Sequence, residues 1–271
     1  MRWRNAVCAV ILALIVLPAA FAPWITGRAY DEQFREAPNA APSPQFPLGT
    51  DALGRDRLTR LLHGCRVSLM IAPAASLLAV LAAAVAGGLA GWLGRFPRKL
   101  LSGASDVALS LPWLMLLMMV RAALPLNTSA VASVAITFLV LGLLGWIGPA
   151  RVVAEGVAQL VNADFILAAR ARGLSRGRIF RGHLLPGITP VLMAQFWITL
   201  PAFILAEANL SLLGLGVAEP LPSLGNLLRE VESVAAGWSN PFANYWVFAP
   251  ALALFLVLAC LQGLFPSESP Q

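Results

Sequence analysis

The chain has 271 residues, of which 59% are hydrophobic and only 12% charged, with a mean hydropathy of +0.77. A water-soluble domain needs a polar coat and carries roughly a quarter charged residues, so this composition excludes an ordinary soluble fold and points to lipid as the solvent. The net charge of +6 rests on 18 Arg and a single Lys; in so apolar a chain, basic residues set membrane orientation rather than bind nucleic acid.

Crossing the hydrocarbon core takes about 20 mostly apolar residues. The first such run covers residues 6–25, preceded by Arg2 and Arg4. The stretch Pro-Ala-Ala-Phe-Ala at 18–22 also reads as a signal-peptide cleavage site. Against that, the run continues through Pro23, Trp24 and Ile25, as in an uncleaved anchor with an interfacial Trp. Residues 25–66 are rich in proline (Pro38, Pro42, Pro44, Pro47) and too long to be a mere connector. Further apolar runs at 67–94, 106–124, 131–150, 188–213 and 245–264 make six predicted spans. The expected fold is an all-α integral membrane protein. Residues 1–66 form an N-terminal anchor and extracytoplasmic segment, and residues 67–271 the transmembrane core.

A cytoplasmic N-terminus puts segments 1–6, 94–106, 151–187 and 265–271 inside, with 11 of the 19 basic residues. The outside segments 25–66, 121–130 and 214–244 hold the other 8. The positive-inside rule therefore favours cytoplasmic N- and C-termini.

Individual residues within the spans are less telling. Gly87, Gly88, Gly91 and Gly94 have the spacing of a close helix contact. Pro112 is placed to kink the third span, and Asp106 and Arg121 read as its charged boundaries. Glu207 lies well inside the fifth span. A carboxylate there reads either as part of a pathway or gate, or as a hydrogen-bonded structural group near Ser211. Cys8, Cys65 and Cys260 have no metal or disulfide spacing and read as small apolar filler. His63 and His183 stand far apart, so no metal site is expected. No catalytic set of Ser, His and Asp is found. The absence of a G-x-x-x-x-G-K-[ST] loop predicts that the chain binds no ATP itself.

The basic loop at 164–186 reads D-F-I-L-A-A-R-A-R-G-L-S-R-G-R-I-F-R-G-H-L-L-P. Asp164 is a candidate N-cap for a helix through Leu167, Ala168, Ala169 and Arg170. Gly173 is placed to end it in a left-handed conformation, with Arg170 and Arg172 in its last turn. Ser175 is a candidate cap for a second short helix. On physics alone this helix–turn–helix reads either as a docking surface for another protein or as a basic loop on anionic lipid.

The same segment resembles the Glu-Ala-Ala loop of importer permeases of the ATP-binding cassette class. Ala168, Ala169, Gly173, Leu184 and Pro186 fall on that pattern, while Leu167 stands at the Glu position. A second stretch, F-P-L-G-T-D-A-L-G-R-D-R-L-T-R-L-L-H-G-C-R at 46–66, resembles the signature of the second permease subunit in dipeptide, oligopeptide and nickel importers. Gly49, Thr50, Asp51, Gly54, Arg55, Asp56, Arg60, Gly64 and Arg66 align with it. Read without the family, its G-T-D and G-R-D segments are turns with Asp-to-backbone hydrogen bonds, and its alternating charges suggest an ionic network. A third stretch, I-L-A-E-A-N-L-S-L-L-G-L-G-V-A-E-P-L-P-S-L-G at 204–225, resembles another segment of that family, with Leu212 and Leu224 where the family has Phe and Trp.

The resemblance implies a type I importer permease that forms half of a translocation pathway for di- or oligopeptides, or a related solute such as nickel. It implies a second, related permease, two ATPase subunits that bind ATP and Mg, and an extracytoplasmic solute-binding protein as partners. The expected location is the bacterial inner membrane, and the loop at 164–186 would couple ATP hydrolysis to transport. Two other classes remain open. An ion-driven secondary transporter would need more intramembrane carboxylates and a repeated broken helix. A membrane scaffold would need no docking loop.

Overall fold

A computed structural model describes residues 2–123, 129–235 and 241–264. Helices dominate them, and the one β-bridge joins Thr50 to Asp56. Five helical stretches are long and apolar enough to cross a membrane, or six if one bent pair counts as a span. The order is α1 (Arg2–Ala20), α2 (Ala22–Thr26), α3 (Arg57–Leu93), α4 (Arg95–Ser110), α5 (Trp113–Ala123), α6 (Ala130–Leu144) and α7 (Ile147–Val161). Then come α8 (Asp164–Ala171), α9 (Arg176–Ile179), a π-helical turn (Phe180–Leu184), α10 (Leu185–Leu212) and α11 (Leu224–Ala235). A 3-10 turn (Pro241–Phe248) and α12 (Ala249–Leu264) end the described chain.

The described structure departs from the expected layout at several points. The second span starts ten residues early, because Asp56 caps α3: its carboxylate accepts hydrogen bonds from the Thr59 N–H and hydroxyl. The third span is broken rather than kinked, with α4 and α5 meeting at 82°. Leu111 is extended there (φ −78°, ψ 134°), as a residue before proline prefers, and Pro112 has no N–H to continue the helix. The segments placed inside, 94–106 and 151–187, are largely helical, with α8 and α9 where a helix–turn–helix was expected and helix at 95–106 and 151–161 where none was. Residues 214–244, predicted as an outside loop, contain α11. Residues 265–271 and Leu124 lie outside the described residues.

The chain divides into two compact units. The first comprises residues 1–73, 118–138 and 201–271. In it α1 packs on α12, with Gly263 meeting Cys8, and α12 also packs on α11. The second comprises residues 74–117 and 139–200. There Gly87 and Gly91 let α3 lie against the backbone of α7, where a Cβ would run into the carbonyls of Ala150 and Ala154. Gly88 and Gly94 face no such neighbour. Helix α4 is held to α7 by Arg98–Glu155 at 3.5 Å and by the Arg151–Asp106 pair. Asp106 is thus an ion-pair partner as well as a near-boundary residue.

Candidate functional site

Within the second unit, α8 ends in a Schellman cap. Gly173 has φ +78°; its N–H donates to the Arg170 carbonyl (2.9 Å) and that of Leu174 to the Ala169 carbonyl (3.2 Å). The left-handed glycine is as the sequence predicted. The cap at the other end is not: Ala163 holds the N-cap position and Asp164 is the first helical residue, where its charge still faces the positive end of the helix. Ser175 does precede α9, but without a side-chain capping bond. Ile166, Ala169, Ile179 and Leu184 turn inward to a core with Val153, Val157 and Ile188. Phe165, Leu167, Ala168, Arg170, Arg172 and Pro186 are exposed. The predicted pair of alanines is therefore split. Ala168 is presented outward, while Ala169 is 6% exposed and belongs to the core. They are adjacent on a helix, so about 100° of rotation separates them.

In the first unit the G-T-D-A-L-G-R-D segment folds as its local chemistry dictates. Asp51 Oδ1 accepts the N–H groups of Leu53 (2.9 Å) and Arg55 (2.8 Å), and Oδ2 receives Arg55 Nε at 2.6 Å. Thr50 Oγ1 accepts the Ala40 N–H at 2.8 Å and donates to the Ala37 carbonyl. Gly54 (φ +75°) abuts the Phe34 carbonyl and Gly49 (φ +69°) that of Ala40, so neither position has room for a Cβ. Arg28 stacks on Phe34 and Phe46, which closes the segment on itself.

The ionic network foreseen in this motif exists; Asp51 contributes from within it, but the other acids, Glu219 and Glu230, come from far along the chain. Arg60 is fully buried and lies 3.0 Å from Glu219, with Asp51 and Glu230 within 3.9 Å. Arg55 reaches Glu219 at 2.9 Å and Arg57 reaches Glu230 at 3.0 Å. Burial pushes the Glu230 carboxyl above the usual range, with Arg57 and Arg60 pulling the other way. Burial lowers the Arg55 pKa, but Asp51 and Glu219 outweigh it and hold it above its ordinary value. Arg66 is half-buried on α3, in electrostatic range of His63. Gly64 packs on Ser223 and Leu227.

Glu207 is 0% exposed on α10. Its Oε1 accepts from the hydroxyls of Ser211 and Ser223, both at 2.7 Å, with Ser68 and the Gly225 N–H also acting on the carboxyl. Ser223 also caps α11, reciprocally with Asn226. Gly225 permits the close approach, since a Cβ there would lie 2.7 Å from Ala208 and Ser211. Helix α10 itself ends in a second Schellman cap at Gly214 (φ +77°). Sequence reasoning missed Glu219, Glu230, Ser223 and Asn226 as partners. The only sequence signal for them was the quoted 204–225 stretch, which contains Glu219 and Ser223. It also read Arg121 as a boundary charge, yet Arg121 is fully buried beside Ser133.

These motifs coincide with a known family. Residues 71–265 match the family described as binding-protein-dependent transport system inner membrane component. The chain belongs to this family. It is 32% identical over 258 residues to the dipeptide transport system permease protein DppC of Bacillus subtilis, covering 94% of this chain and 76% of that one. It is 32% identical over 262 residues to the oligopeptide transport system permease protein OppC of Mycobacterium tuberculosis, covering 96% and 87%. To OppC of Haemophilus influenzae it is 29% identical over 256 residues, covering 93% and 78%. This binding-protein-dependent permease is thus a multi-pass inner-membrane subunit of an ATP-binding cassette importer, working within a transporter complex. Its helical architecture accords with the type I permease fold.

Proposed function

We propose that this permease carries di- or oligopeptides inward, as the names of its relatives indicate for them. It does so beside a second, related permease, with two ATPase subunits and an extracytoplasmic solute-binding protein. ATP and Mg are bound by the ATPase subunits, and this chain has no ATPase site of its own. Residues 1–66 act as the anchor and extracytoplasmic segment ahead of a core at 67–271; the family match beginning at residue 71 supports that division. Both termini are cytoplasmic.

The observation that carries the coupling role is the Schellman-capped α8. It holds apolar Phe165 and Leu167 and small Ala168 in the open, on a helix whose other face is locked into a core. A rigid, partly apolar, exposed helix suits a protein groove better than a lipid headgroup layer. Leu167, standing where the family pattern has Glu, adds apolar area to that face. Closure of the ATPase dimer then moves α8, and with it the core of the second unit.

The test is reconstitution of the chain with its four partner chains in vesicles, with binding protein added. ATP-dependent uptake of labelled di- and tetrapeptides is the expected result. A complex that hydrolyses ATP but moves no peptide overturns the assignment of substrate.

A further inference from the structure

Arg60 and Arg121 are both fully buried, and they differ in what neutralises them. Arg60 has Glu219 at 3.0 Å and two further acids in range. Arg121 has no carboxylate in ion-pair range among the described residues. Its Nη2 donates to Ser133 Oγ at 2.9 Å and reaches the Gly216 carbonyl at 3.5 Å. Its Nε and Nη1 have no hydrogen-bond partner among the described residues, although the side chain is only 1% exposed. A buried cation without a matching anion is strongly disfavoured, so this arrangement calls for a negative ligand.

Arg121 lines a cavity of about 530 Å³, all of it within the first unit. The size suits a small solute or one end of a longer one. Residues of the glycine-rich turn from Gly214 to Ala218 form one wall. Arg55 and the exposed Arg229 share the lining. The two acids there are already engaged: Glu219 with Arg55 and Arg60, Glu230 with Arg57. The unneutralised charge in the cavity is therefore positive and is concentrated on Arg121.

We propose that this cavity binds the C-terminal carboxylate of the transported peptide, with Arg121 as the anion-binding residue and Arg229 at the rim. A planar guanidinium with free N–H donors is the side chain best matched to a carboxylate. The proposal rests on the peptide reading above and gives the permease its own contact with substrate, apart from the binding protein.

The test uses the complete importer in vesicles and two probes, Ala-Ala and Ala-Ala amide. The affinity of the binding protein for each is measured separately, so that any further preference belongs to the permease. Wild type is expected to favour the free carboxylate beyond the binding protein's own preference. Arg121→Gln should reduce that excess at least tenfold, with Arg121→Lys intermediate. Arg229→Gln should reduce it less. If Arg121→Gln does not assemble, the Lys variant and Arg229→Gln decide, and an unchanged preference in both overturns the site. Equal loss of both probes in Arg121→Gln also overturns it, and points to a structural carboxylate on the second permease. Wild-type uptake of neither probe overturns the peptide reading itself, and this site with it.

Discussion

Glu207 shows how a single buried carboxylate can hold two elements together. Its Oε1 takes one hydroxyl from its own helix, Ser211, and one from the cap of the next, Ser223. Of the two roles open from sequence, this geometry supports hydrogen bonding. Glu207→Gln keeps an acceptor oxygen in place, so it is expected to retain most uptake and a near-wild-type melting midpoint. Glu207→Leu strands both hydroxyls, at about 1–3 kcal/mol for each buried group left unpaired, and should lower the midpoint and uptake together. Equal losses in the two variants would instead indicate that the charge is required. The adjacent alanines of α8 allow a similar comparison. Ala169→Leu forces extra volume into a packed core, a change that costs about 1–3 kcal/mol, and should destabilise the subunit. Ala168→Leu, on the exposed face, should leave the midpoint alone and weaken retention of the ATPase in pull-down. The reverse pattern would mean that α8 is rotated from the orientation described.

At the level of elements, the terminus of α8 matters more than its length. An eight-residue helix is too short to persist on propensity alone, so packing and capping hold it. Nothing lies within 4 Å of a Cβ built on Gly173, so substitution there acts through the backbone alone. Asn accepts a positive φ with little penalty, whereas a β-branched residue does so at a cost of about 1–3 kcal/mol. Gly173→Asn is therefore expected to keep uptake coupled to hydrolysis. Gly173→Val should leave the permease in the membrane, as checked by blot, with uptake and stimulated ATPase activity both lost. Wild-type coupling in Gly173→Val would remove the loop from the coupling role.

On the scale of the whole molecule, the charge distribution sets the orientation in the membrane. The charge count puts the segment around Ser43 outside and the loop around Ser175 inside. Ser175 is exposed and Ser43 is half-buried in a surface turn, and reporters fused at the two should report opposite sides of the membrane. Reporters on the same side would show that an odd number of crossings does not separate them. Such a result would refute a single inside–outside order built on the three crossings α3, the α4–α5 pair and α6–α7.

What the sequence determined alone is what depends on near neighbours. Hydropathy summed over about 20 residues located the apolar runs and the membrane class. Asp51 and Asp56 turned onto the next few N–H groups, and Gly173 took its left-handed turn, because those bonds close within five residues. The ordered motifs also carried the family. Only the tertiary structure decided matters of distance and direction. Arg60 finds Glu219 across 159 positions. The break at Pro112 became an 82° turn, and α4 and α11 formed where loops were read. Such short or amphipathic helices are marginal until a neighbour covers one face. No local pattern separates an inward Ala169 from an outward Ala168, or a boundary Arg121 from a buried one. Burial is set by which surfaces meet, and that is a property of the folded chain.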